Sequence, residues 1–418
     1  MNESTPAASR TVALVDTRWG GHHPTYLREF TASLLRLGAN VLLASRQPEA
    51  VLSALPEPER ARAVGRVTPM TFVHRNQGLL DPRRDHDPLS TILRWRASGR
   101  IVRAAEARAG TRADLVFFPY LDSYLRFAPF PSLPRRTLGR PWSGLYFRNA
   151  HLAEAPDSLR ARLRWLAKGD RLLRSPDCRA VCVLDERFND RLAADTGHRV
   201  IAFPDMTDET RPDGLTELAR QVGERAAGRK IIGLISMERR KGLLTLLRAA
   251  LRARELGEPW FFVAVGPFLR ETFSAGEIAF CEEVRRKVES GALDNLYFDM
   301  SGQRIPDGAP YNSLFTRFDL VWAAYEDFEG SSNALTKAAA FRIPLLATAG
   351  QCVGGRVESY QMGRTFAQAD VGACLGAIRG VLAGEGADGK PLRPRFEDYH
   401  RLHDRAYLDE IFRGFLAG

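Results

Sequence analysis

Residues 318–347 read FDLVWAAYEDFEGSSNALTKAAAFRIPLLA, and this stretch decides the fold. The apolar run Leu320–Ala324 predicts a buried parallel strand, and a polar turn leads from it into a helix of small residues. A second apolar run, Ile343–Ala347, follows that helix. Strand, turn, helix and strand form the βαβ unit of a parallel α/β sheet, in which ligands bind at the carboxyl ends of the strands.

The turn between these two runs carries the groups that an anionic ligand needs. Gly330 permits close approach of the backbone, and the side chains of Ser331, Ser332 and Asn333 are suited to cap the helix or to donate to a phosphate. Glu329 stands at the mouth of the turn, where its carboxylate is placed to accept hydrogen bonds from sugar hydroxyls. A capped helix with solvated acids explains the same residues, and both interpretations stay open.

The length of the chain indicates two domains. Its 418 residues exceed one ordinary core, and about 200 residues per domain are expected. No apolar run approaches the ~20 residues that span a bilayer. The first ten residues lack the apolar segment of a signal peptide, so we expect a flexible tail and a cytoplasmic protein. The five scattered cysteines are expected to be reduced thiols.

The positive charge is concentrated in the first half of the chain. The net charge is +10, and residues 1–200 carry the whole surplus, nearly all of it as arginine. No helix-turn-helix, zinc-finger or RNA-binding aromatic pattern accompanies these residues, so nucleic acid is not an expected partner. We expect contact with an anionic membrane surface or an anionic acceptor. A genomic preference for arginine is the alternative explanation.

The first half opens with a βαβ pattern of its own. Thr11–Val15 is a predicted strand, a Gly20–Gly21 turn follows it, and a helix leads on to a second strand at Val41–Ala44. A glycine turn at a helix N-terminus is suited to bind an anion. The turn does not match GxGxxG, and no acidic residue ends the second strand, which weakens a nicotinamide-cofactor interpretation.

Polar residues of the types used in catalysis and binding follow two strands of this half. His22 and His23 lie in the glycine turn as candidate general bases, acceptor contacts or simple turn residues. Metal ligation is the least favoured of their roles because no third ligand lies nearby. Arg148, Asn149 and His151 come directly after another predicted strand. We therefore expect these side chains at the carboxyl edge of the first sheet.

Strands and helices alternate along the rest of the chain. The further predicted strands are Val67–Val73, Asp114–Tyr120, Ser143–Phe147, Ala180–Leu184, Val200–Phe203, Lys230–Ser236, Trp260–Gly266 and Asn295–Met300. We predict an N-terminal domain over residues 11–205, a linker over 206–228, a C-terminal domain over 229–395 and a closing helix over 396–418. The predicted fold class is α/β, with two Rossmann-like doubly wound domains facing across a cleft.

Four segments, in order, resemble the retaining GT-B glycosyltransferases of family 4. The Gly20–Gly21 turn resembles the family's N-terminal glycine loop, and Arg239–Gly242 resembles its basic segment that clamps a diphosphate. Glu329–Gly330 with the following helix resembles the family's E-G-F-G-L-x-x-L-E-A signature. Ala347–Gly363 resembles its glycine-rich close. Together the four segments span most of the chain.

The resemblance implies a cytoplasmic or membrane-associated enzyme of polysaccharide biosynthesis. It would use a UDP or GDP sugar as co-substrate, no metal and no further cofactor, and a saccharide, lipid-linked or small-molecule acceptor. The implied catalytic residues are Glu329, His22 and Lys241, and the implied acceptor contacts are His22, His23, Arg148, Asn149 and His151. The implied donor contacts are Gly20, Gly21, Arg239, Arg240, Lys241, Glu329, Gly330, Ser331, Ser332, Asn333 and Lys337.

Two departures from the family pattern keep other functions open. Lys337 stands where the family carries a second glutamate for the ribose, and Ser236 stands where an arginine is expected. Another GT-B sugar-nucleotide enzyme, such as a 2-epimerase, or a catalytically silent relative is therefore an alternative. A basic protein that binds membranes or nucleic acid is a second one, and its binding would fall steeply with added salt.

Overall fold

The computed structural model describes residues 9–20, 23–72, 88–125, 130–147, 158, 159, 163 and 170–417. The chain divides into two compact units. Unit 1 comprises Met1–Pro204 together with His403–Gly418, and unit 2 comprises Asp205–Leu402. Each unit contains one parallel β-sheet of its own. The two doubly wound α/β units predicted from the alternating pattern are therefore confirmed.

Unit 1 is built on a seven-stranded sheet in the order β3-β2-β1-β4-β5-β6-β7. Its strands are β1 Thr11–Val15, β2 Asn40–Ser45, β3 Val67–Thr71, β4 Leu115–Phe118, β5 Trp142–Tyr146, β6 Cys178–Val183 and β7 Val200–Ala202. All neighbouring strands run parallel. The strand order reverses between β1 and β4, and a crevice for ligands forms at such a switch point.

The helices of unit 1 cover the faces of this sheet. Those before the second unit are α1 His23–Arg36, α2 Pro48–Ser53, α3 Glu57–Ala63, α4 Pro88–Ala109, α5 Leu133–Thr137 and α6 Asn189–Thr196. The longest, α4, brings the fully buried Trp95 against Phe118 and Trp142 of the sheet, with ring centroids 5.2 Å from each. Buried aromatic side chains thus fill this face of the sheet.

Unit 2 repeats the architecture with six parallel strands in the order β10-β9-β8-β11-β12-β13. The strands are β8 Lys230–Met237, β9 Trp260–Phe268, β10 Leu296–Phe298, β11 Leu320–Ala323, β12 Leu345–Thr348 and β13 Gly363–Phe366. The switch point lies between β8 and β11, and one hydrophobic cluster packs on each face of the sheet.

Eight helices surround this second sheet in the described part of unit 2. They are α7 Glu217–Ala226, α8 Leu243–Glu255, α9 Ala275–Glu289, α10 Ala309–Phe315, α11 Asn333–Phe341, α12 Cys352–Ser359, α13 Val371–Leu382 and α14 Phe396–Arg401. The helix predicted after the polar turn is α11.

The C-terminal helix α15, Arg405–Ala417, belongs to unit 1. Asp409 accepts hydrogen bonds from Ser33 (2.5 Å) and from both Nε and Nη2 of Arg36 (2.8 and 2.7 Å). Phe412 packs between the rings of Phe30 and Phe117. The sequence predicted one closing helix over residues 396–418, but α14 and α15 are separate helices that belong to different units.

Part of the predicted linker is a helix of unit 2. The polar, Pro- and Gly-containing stretch before it looks like a connection, but α7 begins inside it at the N-cap Thr216, whose hydroxyl accepts a hydrogen bond from the amide of Ala219. Ala219, Val222 and Ala226 recur at helical spacing and are buried in the core. This short apolar stripe is what ties residues 217–226 to the second sheet.

Twelve of the described strands follow the predicted apolar runs, and β13 does not. β13 reads GRTF and lies at the edge of its sheet, so it lacks the continuous apolar run of a central strand. The five cysteines are free thiols, as predicted, and all five are buried. Among the described residues, no helix combines the length and apolar character that crossing a membrane requires.

A buried lysine ties the beginning of unit 2 to α11. The Nζ of Lys337, which is only 6% exposed, donates hydrogen bonds to the carbonyl of Asp208 and to Oδ1 of Asn312. Asn312 in turn donates to the carbonyls of Asp208 and Thr210 at 3.2 and 2.8 Å. Burial lowers the pKa of the Lys337 ammonium from 10.5 to about 8, although nearby carboxylates favour the charged form.

We predict that Lys337 makes the free energy of unfolding depend on pH. Between about pH 8 and 10.5 the unfolded chain holds more protons at Lys337 than the folded one, so its contribution to the free energy of unfolding rises with pH. Urea unfolding of the wild type and of Lys337→Met should diverge across that window by about 3 kcal/mol. Parallel pH curves for the two proteins would contradict the buried position of the ammonium.

Candidate functional site

Two loops meet at the switch point of unit 2. The basic loop, residues 238–242, follows β8, and the acidic loop, residues 325–332, follows β11. The amide of Glu326 donates to the carbonyl of Arg240 at 2.8 Å, and the indole of Trp322 donates to the carbonyl of Lys241 at 3.0 Å. The side chain of Glu326 is buried and accepts from the hydroxyl of Thr245 at 2.7 Å. The two loops are therefore fixed against each other.

A glycine makes this approach possible. Gly242 has φ +74° and caps α8, and a Cβ at this position would lie 2.1 Å from the carbonyl oxygen of Ala324. Any other residue would combine backbone strain with a clash against the backbone of β11's loop. Gly242, the last residue of the basic segment that suggested phosphate binding, is thus also the residue at which the two loops meet.

The three cations of the basic loop differ in how they are paired. Arg239 donates to Glu277 at 2.9 Å, and Arg240 donates to Glu238 at 2.7 Å. Lys241 has no ion pair among the described residues, and its half-buried Nζ lies 3.3 Å from the carbonyl of Ile235. Burial lowers the pKa of this ammonium, with Glu238 opposing the shift. A bound anion would compensate that desolvation, so Lys241 is the cation best suited to hold one.

The backbone beside this loop is strained. Ser236 has φ +73°, and the pairing of β8 with β9 shifts register at this point. Its hydroxyl donates to Glu238 at 3.3 Å. Ser236 stands where the family resemblance expects an arginine, and here the position shapes the start of the basic loop. A positive φ at a non-glycine residue costs about 1–3 kcal/mol, and residues strained in this way cluster at functional sites in proteins.

The start of α11 is capped as predicted. Ser332 is the N-cap and accepts from the amide of Ala334 at 3.3 Å, and it lies 2.9 Å from the hydroxyl of Tyr325. Ser331 donates to Asp205 at 2.7 Å and accepts from Arg356 at 2.6 Å. These predicted phosphate donors therefore already bind groups of unit 2, and Asn333 is the first residue of the helix.

The remaining predicted donor residues lie on both sides of this start. Glu329 is exposed and Gly330 half-buried, both directly before α11. Lys337 lies one turn further along, with its ammonium directed at Asp208 and Asn312. Its contact with a donor stays a prediction, as does the role of Glu329.

Sequence reasoning missed several residues of this site. Arg356, on α12 and only 5% exposed, reaches Ser331 from a separate segment of the chain. Gln368 holds Asp327 by two hydrogen bonds, one to its amide at 2.9 Å and one to its carboxylate at 3.0 Å. Arg356 lies within the glycine-rich segment Ala347–Gly363 but was not singled out there, and Gln368 lies beyond every segment that the resemblance covers. They reach the loop only because β12 and β13 lie beside β11.

In unit 1 the switch point carries an aspartate–histidine pair. Asp16 directly follows β1 and is 2% exposed, and its Oδ2 lies 2.7 Å from Nδ1 of His23, the first residue of α1. Its other oxygen accepts from the amide of Arg18 at 2.8 Å. A carboxylate on Nδ1 selects the tautomer whose Nε2 accepts a proton. The His23 side chain is 17% exposed.

Aromatic side chains hold this imidazole in place. The ring of Tyr120, which follows β4, lies 5.0 Å from that of His23, and the guanidinium of Arg18 lies 4.7 Å above the same tyrosine. Phe147, after β5, packs against Tyr120 at 5.8 Å. Asp16 was not among the predicted site residues, although a carboxylate at the end of a parallel strand beside a glycine turn is a usable signal.

Of the other site residues predicted in unit 1, only Gly20 lies within the described residues. Gly20 has φ +95°, which suits a glycine turn, and its carbonyl accepts from the amide of His23 at 3.3 Å. Among the described residues, no group of three His, Cys, Asp or Glu side chains is arranged to hold a metal. The predicted site residues that lie outside the described residues are Gly21, His22, Arg148, Asn149 and His151.

Comparison with known proteins identifies the fold. The sequence matches no protein-family model and no curated protein. Solved structures match over nearly the whole chain. A glycosyltransferase from Rickettsia africae aligns with a TM-score of 0.63 at 12% identity, covering 98% of each chain.

Two further structures give the same result. HepE of Anabaena, solved with UDP and glucose, has a TM-score of 0.59 at 15% identity and covers 98% of this chain and 99% of its own. Sucrose-phosphate synthase from Thermosynechococcus elongatus has a TM-score of 0.61 at 18% identity with the same coverage. The predicted GT-B fold is confirmed, and membership of family 4 stays a prediction.

Proposed function

We propose that this protein is a retaining glycosyltransferase that moves a hexosyl group from a nucleoside diphosphate donor to a saccharide, lipid-linked or small-molecule acceptor. UDP is the favoured nucleotide because HepE, with the same fold, was solved with UDP and glucose; GDP is the alternative. We place the reaction in the cytoplasm, in polysaccharide biosynthesis, with peripheral contact to an anionic membrane through unit 1. The proposal includes no resident metal.

One observation carries this proposal. At the switch point of unit 2, a cation without an ion pair among the described residues, Lys241, lies in a loop that is hydrogen-bonded to the loop before α11. Anions bind at helix N-termini at such switch points in α/β sheets. The combination of a desolvated ammonium with a neighbouring helix start is suited to a diphosphate, and the GT-B fold supports the same assignment.

The donor chemistry follows from these charges. Cleavage of a sugar–phosphate bond builds negative charge on the departing nucleoside diphosphate. Lys241 and Arg240 of the basic loop, with the amides at Gly330–Asn333, stabilise that charge without reorganisation. Glu329 accepts hydrogen bonds from the sugar hydroxyls and orients the anomeric carbon. Gly20, Gly21, Arg239 and Lys337 complete the proposed donor contacts.

The acceptor side is assigned to unit 1. His23, held by Asp16, orients the acceptor hydroxyl and takes its proton at Nε2 as the new bond forms. His22, Arg148, Asn149 and His151 remain proposed acceptor contacts, with His22 as a second candidate for the proton. In a retaining reaction the acceptor attacks on the face that the nucleotide leaves, and the departing phosphate can share this proton.

Two observations favour other functions. A hydrogen-bonded pair such as Asp16–His23 is suited to act as the general base of a direct displacement. Such a displacement inverts the anomeric centre. The linkage of the product, measured by NMR, decides between retention and inversion. Lys337 replaces the family's ribose-binding glutamate and binds Asp208 and Asn312 instead. A 2-epimerase-like enzyme or a silent binder would explain that change, and transfer of radiolabel from a nucleotide sugar excludes both.

Replacement of Lys241 by alanine should weaken UDP binding about tenfold, because it removes a charge-assisted contact to the diphosphate. Thermal-shift titration with UDP, GDP and their sugars measures the effect, since a ligand at 100 times its Kd adds about 2.7 kcal/mol of stability. The matched control is Lys287→Ala, an exposed lysine on α9 paired with Glu283. Equal affinities for Lys241→Ala and the control would remove Lys241 from the donor site.

Replacement of Glu329 by alanine should lower sugar transfer by about 100-fold, because the donor sugar loses the group that orients it. UDP affinity should stay within about twofold, since the carboxylate contacts the sugar and not the nucleotide. Transfer is measured with radiolabelled UDP-sugars against a panel of glycan and lipid-linked acceptors, and Glu283→Ala serves as the control. Full turnover of the Glu329 variant would exclude this role.

The aspartate–histidine pair should act as one unit. His23→Gln should lower transfer by about 100-fold, and Asp16→Asn should lower it by a similar factor through the wrong tautomer. Because Asp16 acts through His23, the double variant should be no worse than His23→Gln alone. UDP binding should be unchanged in all three variants. Multiplicative losses in the double variant would show that the two residues act separately.

A further inference from the structure

A second concave site lies in unit 1, at the edge of the sheet opposite to Asp16 and His23. It is a cavity of about 500 Å³ at the amino ends of β1, β4, β5, β6 and β7, closed on one side by the C-terminal helix α15. Ligand sites of α/β sheets lie at the carboxyl edge. The proposed transfer reaction therefore makes no use of this cavity.

Arginine dominates the polar part of its lining. Two carboxylates, Asp114 and Glu410, also reach the cavity, so the positive side chains are in excess by three. The five arginines are Arg10, Arg112, Arg140, Arg179 and Arg199.

Only two of these arginines are neutralised inside the protein. Arg10 pairs with Asp114 at 3.2 Å, and Arg140 forms a bidentate pair with Glu106, both bonds being 2.8 Å. The other three are exposed and have neither a hydrogen bond nor an ion pair among the described residues. Three guanidinium groups without an ion pair, opposed in the lining only by the carboxylate of Glu410, leave the concavity positively charged, so it attracts an anion and offers it several donors.

The floor and one wall of the cavity are apolar. Val12, Leu115 and Ile201 contribute from the strands, and Ile411 and Phe415 contribute from α15. An inorganic anion would leave this surface in contact with water. An anionic head joined to a hydrocarbon group would satisfy the arginines and cover the apolar wall at the same time.

We infer that the cavity binds a phosphate-headed amphiphile, with the phosphate on Arg112, Arg179 and Arg199 and the hydrocarbon against Ile411 and Phe415. The ligand has two conceivable sources, an acidic lipid of a membrane surface or a soluble phosphorylated metabolite with an apolar group. Both present the same chemistry to the cavity. This site is independent of nucleotide binding in unit 2, and it locates the anion contact that the uneven charge of the chain indicates.

Two variants remove the two halves of the site separately. The triple variant Arg112→Gln, Arg179→Gln and Arg199→Gln removes the cations. Gly414→Leu fills the space beside α15, where an added Cβ meets nothing within 4 Å. A helical leucine also has a better propensity than glycine, so this variant keeps the fold. Circular dichroism and the UDP-induced thermal shift verify that both proteins are intact.

The control removes the same charge elsewhere in unit 1. It carries glutamine at three arginines that are exposed, have no hydrogen bond or ion pair among the described residues and do not line the cavity, namely Arg96, Arg100 and Arg171. The probes are monomeric dihexanoyl phosphatidic acid, inorganic phosphate, and phosphatidylcholine vesicles with and without phosphatidic acid.

The wild type and the control should bind the short-chain lipid at least about tenfold more tightly than inorganic phosphate. The arginine variant and Gly414→Leu should each weaken lipid binding by at least about tenfold. Cavity-dependent recruitment to the acidic vesicles would assign a membrane source, and binding of the monomeric lipid alone would assign a soluble one. Equal losses in the arginine variant and the control, or full binding by Gly414→Leu, would overturn the proposal.

Discussion

The contact between two backbones, at the carboxyl ends of β8 and β11, is the constraint on which the candidate site depends. The amide of Glu326 and the carbonyl of Arg240 approach to 2.8 Å only because Gly242 has no side chain to meet Ala324. This contact places the three cations beside the acidic loop that leads into α11. It also directs their pairing, since Arg239 and Arg240 find carboxylates while Lys241 finds only a carbonyl. The diphosphate-binding role proposed for Lys241 follows from this difference in pairing.

The charged groups of the protein illustrate how burial and pairing separate structural from functional roles. Lys337 is as deeply buried as a core residue, and its ammonium donates hydrogen bonds to Asp208 and Asn312 within unit 2. Asp16 is similarly buried, but its partner His23 is partly exposed to solvent. Net charge alone does not make this distinction. The distinction depends on whether a buried polar group is hydrogen-bonded only to other protein groups or is also accessible to a ligand.

Much of the architecture was predictable because parallel strands are buried on both faces and read as continuous apolar runs. β1 was predicted with its observed bounds, and β8 and β9 within one or two residues. β13 escaped prediction because GRTF at a sheet edge has little apolar content. The helix at Glu217–Ala226 escaped because its apolar stripe of small residues is set within a polar stretch. In both elements the packing partner, and not the local sequence, determines the structure.

The sequence by itself determined the two doubly wound sheets, the glycine turns and the polar loops at their carboxyl edges, because periodicity and turn chemistry are local properties. It also located the excess of arginine in the first half of the chain. Only the tertiary structure decided which of these groups meet. Arg356 reaches Ser331, and Lys337 turns toward Asp208, through contacts between segments that sequence spacing does not relate. Strand order decides these contacts, because the crossover connections bring distant loops to one edge of each sheet.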